Sequence, residues 1–553
     1  MTQFRSTAPR QQVTQFLPCR TRVALAAAGL LCANVSHAAL TDNLATSVVA
    51  MSLGNAVTAD PPGIDSIHFN PAGLARIEGN IKTDAIFSAS LRVNAKLTQP
   101  AGFDIGGWKD DPMVNSASGN FGRTGKTEQT LFIPGVGVPK FSLPAAIAAT
   151  LGFAINNPGS PWTFATNVYA AEAAPIRRND PNDPARYMGK SVVLQRLALL
   201  SPSVGYKISD TLRVGLAIPL SHQGFQLDTD VRFPNKLLGI IGKLQDAWCG
   251  DNGHVVDSFT FGLCGGGKEG RLRPFNKVAN MNFEMTSPLE PTYNLGILWE
   301  PKDWFALGAT YQSGVKSTLT GHYEFQAEPM LPKFVDGMYH SLLGPVLASM
   351  LGFPTSIPPV QSGNATMKLP FPEHYQVGLK FKPHERLQFN VDASYSNWAR
   401  WNKLTMEFDQ NVSLLQMARM FGQADSSKLT LPRGYKSVVH FGFGTEIGLT
   451  KALKLRLGYE PRKSSIPQSA FDLVAPLPDM KVRSIGIGYV KKDGLKLDAT
   501  VSYAKGRFNV PANGSCNMNC DNFFNVIYNP YAGLNVSGDT VLRYVGVLIT
   551  KPF

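Results

Sequence analysis

The chain has 553 residues, a formal net charge of +13 and 51 glycines, and only 17% of its residues are charged. That length would serve three soluble domains, but the charge is low for water-covered surfaces, and past the N-terminus no apolar run is long enough for a membrane-spanning helix. Its basic residues form no compact run of the kind that grips nucleic acid, so nucleic acid is excluded as a partner.

At the N-terminus, Arg5, Arg10, Arg20 and Arg22 precede the apolar run VALAAAGLLCA (23–33) and then Ser36-His37-Ala38. A basic region, a short apolar region and a small-x-small site make residues 1–38 a cleavable secretory signal. Leu31 stands where a lipoprotein signal would need a small residue before Cys32. Removing those four arginines lowers the charge from +13 to +9, a surplus suited to anionic lipid headgroups. Residues 39–80 follow, with SIHFNPAGLARI at 66–77. Asn70-Pro71 is a turn signal, and Ala72 and Gly73 leave room for close approach to another element.

From residue 81 onward, period-two alternation recurs. In ALKLRLGYE (452–460), Leu453, Leu455, Leu457 and Tyr459 share one face, with Lys454, Arg456 and Glu460 opposite. Such alternation means strands with one apolar and one polar face. Fourteen are expected, near 81–97, 129–142, 147–156, 192–208, 211–225, 286–300, 304–325, 365–382, 386–408, 434–448, 453–463, 481–491, 494–508 and 540–552. The joins alternate between tight turns, such as 143–146, 209–210 and 382–385, and long loops. An even strand number with long loops on one rim is the pattern of a 14-stranded antiparallel outer-membrane β-barrel. Lys and Arg cost roughly 2–4 kcal/mol each at the bilayer midplane, so Lys454 and Arg456 face inward. Tyr293, Trp299, Tyr311, Tyr459, Tyr489 and Tyr503 suit interfacial girdles. Wall side chains alone cannot fill so wide a barrel. Residues 39–80 are therefore expected to form a hatch inside the lumen, with Phe69, Asn70, Pro71 and Ala72 at its turn.

The long loops, near 235–284 and 328–364, carry helical stripes. NKLLGIIGKLQDAW (235–248) aligns Leu237, Leu238, Ile241, Leu244 and Trp248. In residues 330–353, Phe334, Met338, Leu342, Val346 and Met350 align, and SLLQMARMF (413–421) is similar. Three such stretches on one rim favour a mouth that accepts apolar molecules. The four cysteines left after the signal, Cys249, Cys264, Cys516 and Cys520, pair most economically as 249–264 and 516–520. Cys516 and Cys520 have no histidine nearby and His254 is the closest to the other pair, so a metal site is not expected. GLCGGGKE (262–269) has Glu269 where a phosphate loop needs a hydroxyl, and no HExxH or G-x-S-x-G occurs. A lipase built around His374 or His440 has no supporting pattern, so no enzyme, cofactor or metal is expected.

The chain resembles the FadL/TodX family of outer-membrane transporters for long-chain fatty acids and aromatic hydrocarbons. The resemblance is carried by LGNAVTADPPGIDSIHFNPAGLARIEG (53–79), MKLPFPEHYQVGL (367–379), SYSNWARWNKL (394–404), SSIPQSAFDLVAPLPDM (464–480) and the terminal Phe. It implies a barrel closed from below by the hatch, an apolar groove between the third and fourth surface loops, and exit through a gap in the wall by the third strand. The expected function is passive uptake of hydrophobic molecules across a Gram-negative outer membrane, with fatty acids placed first, aromatic hydrocarbons second and a general diffusion pore third. A carboxylate needs a cation, for which Arg232, Arg400 and Lys403 are the candidates. The expected partners are outer-membrane lipids, lipopolysaccharide, the substrate, and the barrel assembly machinery during biogenesis.

Overall fold

A computed structural model describes residues 46–553 except 116–126, 129–145, 179, 251–260, 265, 424 and 522–528. The expected signal segment lies outside the described residues. Fourteen antiparallel strands form the barrel. They are β1 (Ile81–Thr98), β2 (Thr127–Glu128 and Ala146–Ile155), β3 (Trp162–Arg178), β4 (Ser191–Leu200 and Ser203–Lys207) and β5 (Leu212–Ala217 and Leu220–Val231). Next come β6 (Ala279–Thr286, Glu290–Pro291 and Asn294–Lys302), β7 (Phe305–Gln312 and Val315–Ala327), β8 (Val360–Phe371 and His374–His384) and β9 (Leu387–Ser396 and Lys403–Phe408). The last five are β10 (Lys428–Pro432 and Val438–Gly448), β11 (Leu453–Arg462), β12 (Met480–Val490), β13 (Lys496–Val510) and β14 (Asn535–Pro552). β14 pairs with β1 from Pro552 opposite Ile81 to Asn535 opposite Thr98, which closes the ring.

Three features differ from the sequence reading. The strand expected at 129–142 falls on residues outside the description, and Ala146–Ile155 is the second strand, paired with β1. The strand that went unread is β3, whose alanine-rich TNVYAAEAA shows only weak alternation. The upper strands also reach further than expected, since Ala279–Thr286 and Val360–Phe371 take residues assigned to loops.

Strands β4 to β10 are broken midway, several of them at proline (Pro202, Pro219, Pro288, Pro372), which cannot donate to a ladder. The lower halves belong to the closed ring. The upper halves form a second sheet that runs from the β2 piece at 127–128 round to β10. At several of these breaks the strands turn over. On lower β8, Tyr375 and Val377 point outward with 50% and 57% exposure, whereas Met367, Leu369 and Phe371 above the break are buried. All five are odd-numbered, so an unbroken strand would put them on one face. The unpaired stretch between Phe371 and His374 reverses the phase. β6 does the same, with Leu295 and Ile297 exposed below and Phe283 and Met285 buried above.

The lower tier carries the lipid-facing band. Tyr293, Tyr311, Tyr375 and Tyr395 run side by side, with centroids 5.8, 4.9 and 6.1 Å apart. Trp299, Phe305, Trp304 and Phe381 form a matching row nearer the tight turns. Tyr375 and Phe381 are six residues apart, about 20 Å of strand, close to the height of an outer-membrane apolar band. Inside this tier Arg456 Nε bonds Glu446 Oε2 at 2.8 Å and its Nη1 bonds Asp498 Oδ1 at 2.5 Å, while Leu457 and Tyr459 face out. This is the facing expected from the cost of a cation in lipid.

Residues 46–77 lie against the inward face of the lower tier, beginning with α1 (Val48–Ser52). Glycines on the wall make the fit possible. A Cβ at Gly205 of β4, Gly215 of β5, Gly296 of β6, Gly308 of β7, Gly442 of β10 or Gly458 of β11 would come within 3.0 Å of this segment. The segment thus meets wall strands β4, β5, β6, β7, β10 and β11.

Candidate functional site

A cavity lies under the long loops. Its roof and sides come from α2 (Lys236–Trp248), α3 (Met330–His340), α4 (Gly344–Leu351) and α5 (Ser413–Met417). Asn235 caps α2 by accepting the Leu237 N–H at 2.8 Å. Gly239 and Gly242 let α2 press on neighbouring loops, because a Cβ at either would strike the Ile105 or Leu272 carbonyl. Gln245 ties the following segment with bonds of 2.9 Å to the Leu263 carbonyl and 2.7 Å from the Leu272 N–H. Disulfides join Cys249 to Cys264 beside α2 and Cys516 to Cys520 in the last long loop.

The apolar stripe read across residues 330–353 is not one face. Gly344 and Pro345 start a new helix, since a proline inside α3 would lose a hydrogen bond and clash with the preceding turn. Phe334 and Met338 on α3 turn into the cavity with Leu238 and Ile241 of α2. Leu342, Val346 and Met350 instead face out, 76%, 60% and 80% exposed. Trp248 is likewise 56% exposed, and Leu237 is half-buried outside the cavity lining. Leu414 and Met417 of α5 complete the lining. The cavity volume is about 120 Å³.

Its lining is almost wholly apolar. Among the described lining residues Arg273 is the one cation, and its Nη2 is held by Asp246 Oδ1 at 2.6 Å. Lys277, next to lining residue Val278, pairs with Glu328 at 2.7 Å. Burial pushes the Lys277 ammonium down, but Glu328 and Asp230 outweigh it and hold the group above its ordinary range. The three cations proposed for a carboxylate lie elsewhere. Arg232 is buried in a two-pronged pair with Asp111 (3.1 and 2.8 Å) and also donates to the Pro530 carbonyl, so it ties loops together. Arg400 bonds Glu373 at 2.6 Å in the break of β9. Lys403 points away from the lumen, because Leu404, Met406 and Phe408 hold the inward face.

Below the cavity the inward face of the upper tier is aromatic. Phe283, Phe325, Tyr323 and Phe408 pack with centroids 4.8 to 6.1 Å apart. Sequence reasoning missed this set because it assumed one apolar face per strand. The signal available was the doubled aromatic pattern in HYEFQ (322–326). These side chains belong to one apolar cluster that runs from Phe334 and Leu414 in the loops down to Met51 of the N-terminal segment.

That segment meets the wall through polar latches. Asn70 Nδ2 donates to the Thr58 and Ile297 carbonyls (2.8 and 3.0 Å), and its Oδ1 accepts the Ala72 N–H at 3.2 Å. Phe69, Pro71 and Ala72 are fully buried beside it, Pro71 and Ala72 against Gly215 and Gly296. The Thr58 N–H donates to Asp392 Oδ2 at 2.8 Å, and Asn55 Nδ2 to Glu460 Oε2 at 2.9 Å. At the lower end Arg76 Nη1 pairs with Asp60 at 2.8 Å and its other nitrogens with Glu300, which Arg213 and Lys380 also reach. Burial pushes the Asp60 carboxyl up, but Arg76 and Lys380 outweigh it and bring the carboxyl down to about 2.

The family model of the outer membrane protein transport proteins (OMPP1/FadL/TodX) matches residues 28–524. The chain belongs to this family. A FadL homologue of Pseudomonas aeruginosa is similar in structure, with a TM-score of 0.61 at 14% identity, covering 93% of this chain and 100% of that one. The toluene transporter TodX of Pseudomonas putida gives 0.58 at 13% identity, covering 93% and 99%, and the toluene transporter TbuX of Ralstonia pickettii gives 0.52 at 15%, covering 92% and 98%. An outer membrane protein of Neisseria meningitidis serogroup B is 22% identical over 187 residues, about a third of either chain (34% and 35%). This family member is thus an outer-membrane β-barrel transport protein.

Proposed function

We propose that the chain takes up small uncharged hydrophobic molecules, with aromatic hydrocarbons placed ahead of fatty acids. The observation that carries this is the cavity of about 120 Å³ whose single lining cation is already paired. An apolar cavity of about 150 Å³ holds a benzene ring, so this volume suits one ring better than a long acyl chain. The exposed Leu342, Val346 and Met350 of the loop helices supply a first capture surface, and Phe334 and Met338 supply the cavity beneath. From there the apolar cluster leads towards Met51.

Residues 46–80 act as a hatch in this reading. Asn70 and Pro71 hold its turn, and its removal opens the lumen. The family resemblance points to exit beside the third strand. Support comes from the β3–β4 ladder, which stops after Ala165–Ser203 and resumes at Tyr169–Ala198. Outer-leaflet lipopolysaccharide and, during biogenesis, the barrel assembly machinery are its proposed partners.

Uptake into proteoliposomes of labelled toluene, oleate and a disaccharide tests the reading. Toluene is expected to enter fastest and the disaccharide not at all. Equal passage of the disaccharide would make the chain a general pore, and saturable oleate uptake without toluene uptake would restore fatty acids to first place.

A further inference from the structure

The outward face of β12, β13, β14 and β1 changes character along the strands. In the lipid band it presents Ile485, Ile487, Val501, Val545 and Val547, each 45–52% exposed. Towards the long loops the same face turns basic. Lys481 stands opposite Lys505, Arg483 opposite Tyr503, and Tyr503 opposite Arg543. One step further, Arg507 lies opposite Asp539, and Arg92 and Lys96 of β1 lie opposite Val541 and Ser537. All seven basic side chains are exposed. The acids nearby are few: Asp539 takes Lys505 at 2.7 Å, and Asp479 is paired with Lys463 at 2.7 Å. Among the described residues no carboxylate pairs with Lys481, Arg483 or Arg543.

Two physical points make this more than a solvated rim. Like charges directly opposite on neighbouring strands destabilise a sheet, and Lys481 against Lys505 is such a pair, which Asp539 relieves only on the Lys505 side. An external anion offsets that repulsion. The basic row also begins two residues, about 7 Å of strand, above the apolar belt, since Arg483 follows Ile485 and Arg543 follows Val545 on one face. An anion seated there is at once beside acyl chains. A soluble phosphate or nucleic acid would use the charges and leave that continuity unused. The patch lies at the end of the strands that carries the long joins 463–479 and 511–534, the outward rim of an outer-membrane barrel.

We propose that this face is a binding site for the phosphorylated glycolipid of the outer leaflet, with Lys481, Arg483, Lys505 and Arg543 on its phosphates and the belt below on its acyl chains. The site rests on the outer-membrane placement and is independent of the uptake cavity, whose lining it does not share. The test is native mass spectrometry of the purified barrel with phosphorylated lipid A, dephosphorylated lipid A, phosphatidylglycerol and inorganic phosphate. Phosphorylated lipid A is expected to be retained most tightly. The quadruple variant Lys481→Gln, Arg483→Gln, Lys505→Gln and Arg543→Gln is expected to lose roughly three orders of magnitude in that affinity, since each cation near an anionic surface contributes a factor of about five. Toluene uptake by the variant, and its heat-modifiable migration as a folded barrel, are expected to stay unchanged. Equal retention of dephosphorylated lipid A by the unaltered protein would overturn the proposal without reference to any variant. So would equal retention of phosphatidylglycerol, or displacement by inorganic phosphate at matched charge.

Discussion

The lower and upper tiers of this barrel are made from the same strands and obey opposite rules. Below the breaks, Leu295, Ile297, Tyr375 and Val377 face outward and Arg456 and Asp392 face inward; above them, Phe283, Met285, Met367 and Phe371 face inward and Lys316, Thr318 and Thr320 are exposed. The solvent explains the difference. Lipid wets the outside of the lower tier, so apolar atoms go out and the lumen takes charge. The upper tier stands above the tyrosine row, where water is outside and the greasy interior is available to an apolar ligand. Where a strand turns over between the two media, as β6 and β8 do, the prolines and unpaired residues at the break allow it. The lesson is that apolar alternation in a membrane barrel marks a face, and the medium on that face has to be argued tier by tier.

The largest expected effect is in the lower tier. Arg456→Leu leaves Glu446 and Asp498 without their shared cation inside the wall, and breaking a buried pair this way costs about 3–5 kcal/mol. Urea unfolding in lipid vesicles, followed by tryptophan fluorescence, measures it. Next is the direct contrast of tiers. Ile487→Arg faces lipid and is expected to cost about 2–4 kcal/mol, whereas Thr318→Arg on the outer face of the upper tier stays within about 0.5 kcal/mol. Similar costs in the same unfolding assay would abolish the distinction.

A smaller effect separates the cavity from the cations around it. Phe334→Ala removes a lining ring and is expected to weaken toluene binding by about 1–3 kcal/mol in calorimetry. Arg400→Ala, already held by Glu373, should alter oleate binding by less than about 0.5 kcal/mol. A loss of about 1.5–3 kcal/mol, the value of a charge-assisted hydrogen bond, would return Arg400 to the site. The smallest effect concerns the lower end of the N-terminal segment. The Asp60 carboxyl is depressed, so its tie to Arg76 is present above the ordinary carboxylate range and is lost as pH falls towards about 2. Single-channel recordings should therefore stay closed from pH 7 to pH 4. Asp60→Asn should raise the frequency of brief openings at neutral pH.

Much of this molecule was legible in the chain. Alternation such as ALKLRLGYE (452–460), the long and short joins and the terminal aromatic strand specify the barrel, because strand period and the cost of charge in lipid are local rules. Tertiary structure decided the rest. Residues 367 and 375 share parity, and only the ladder shows that the break between them reverses the face. Phe334 and Leu342 lie on one stripe in sequence, but Pro345 divides the helix and sends one to the cavity and the other to the surface. Arg232 reads as a free cation until Asp111, more than a hundred residues earlier, closes on it. Periodicity is set by neighbours along the chain, whereas partners and the medium on each face are set by what the fold brings together.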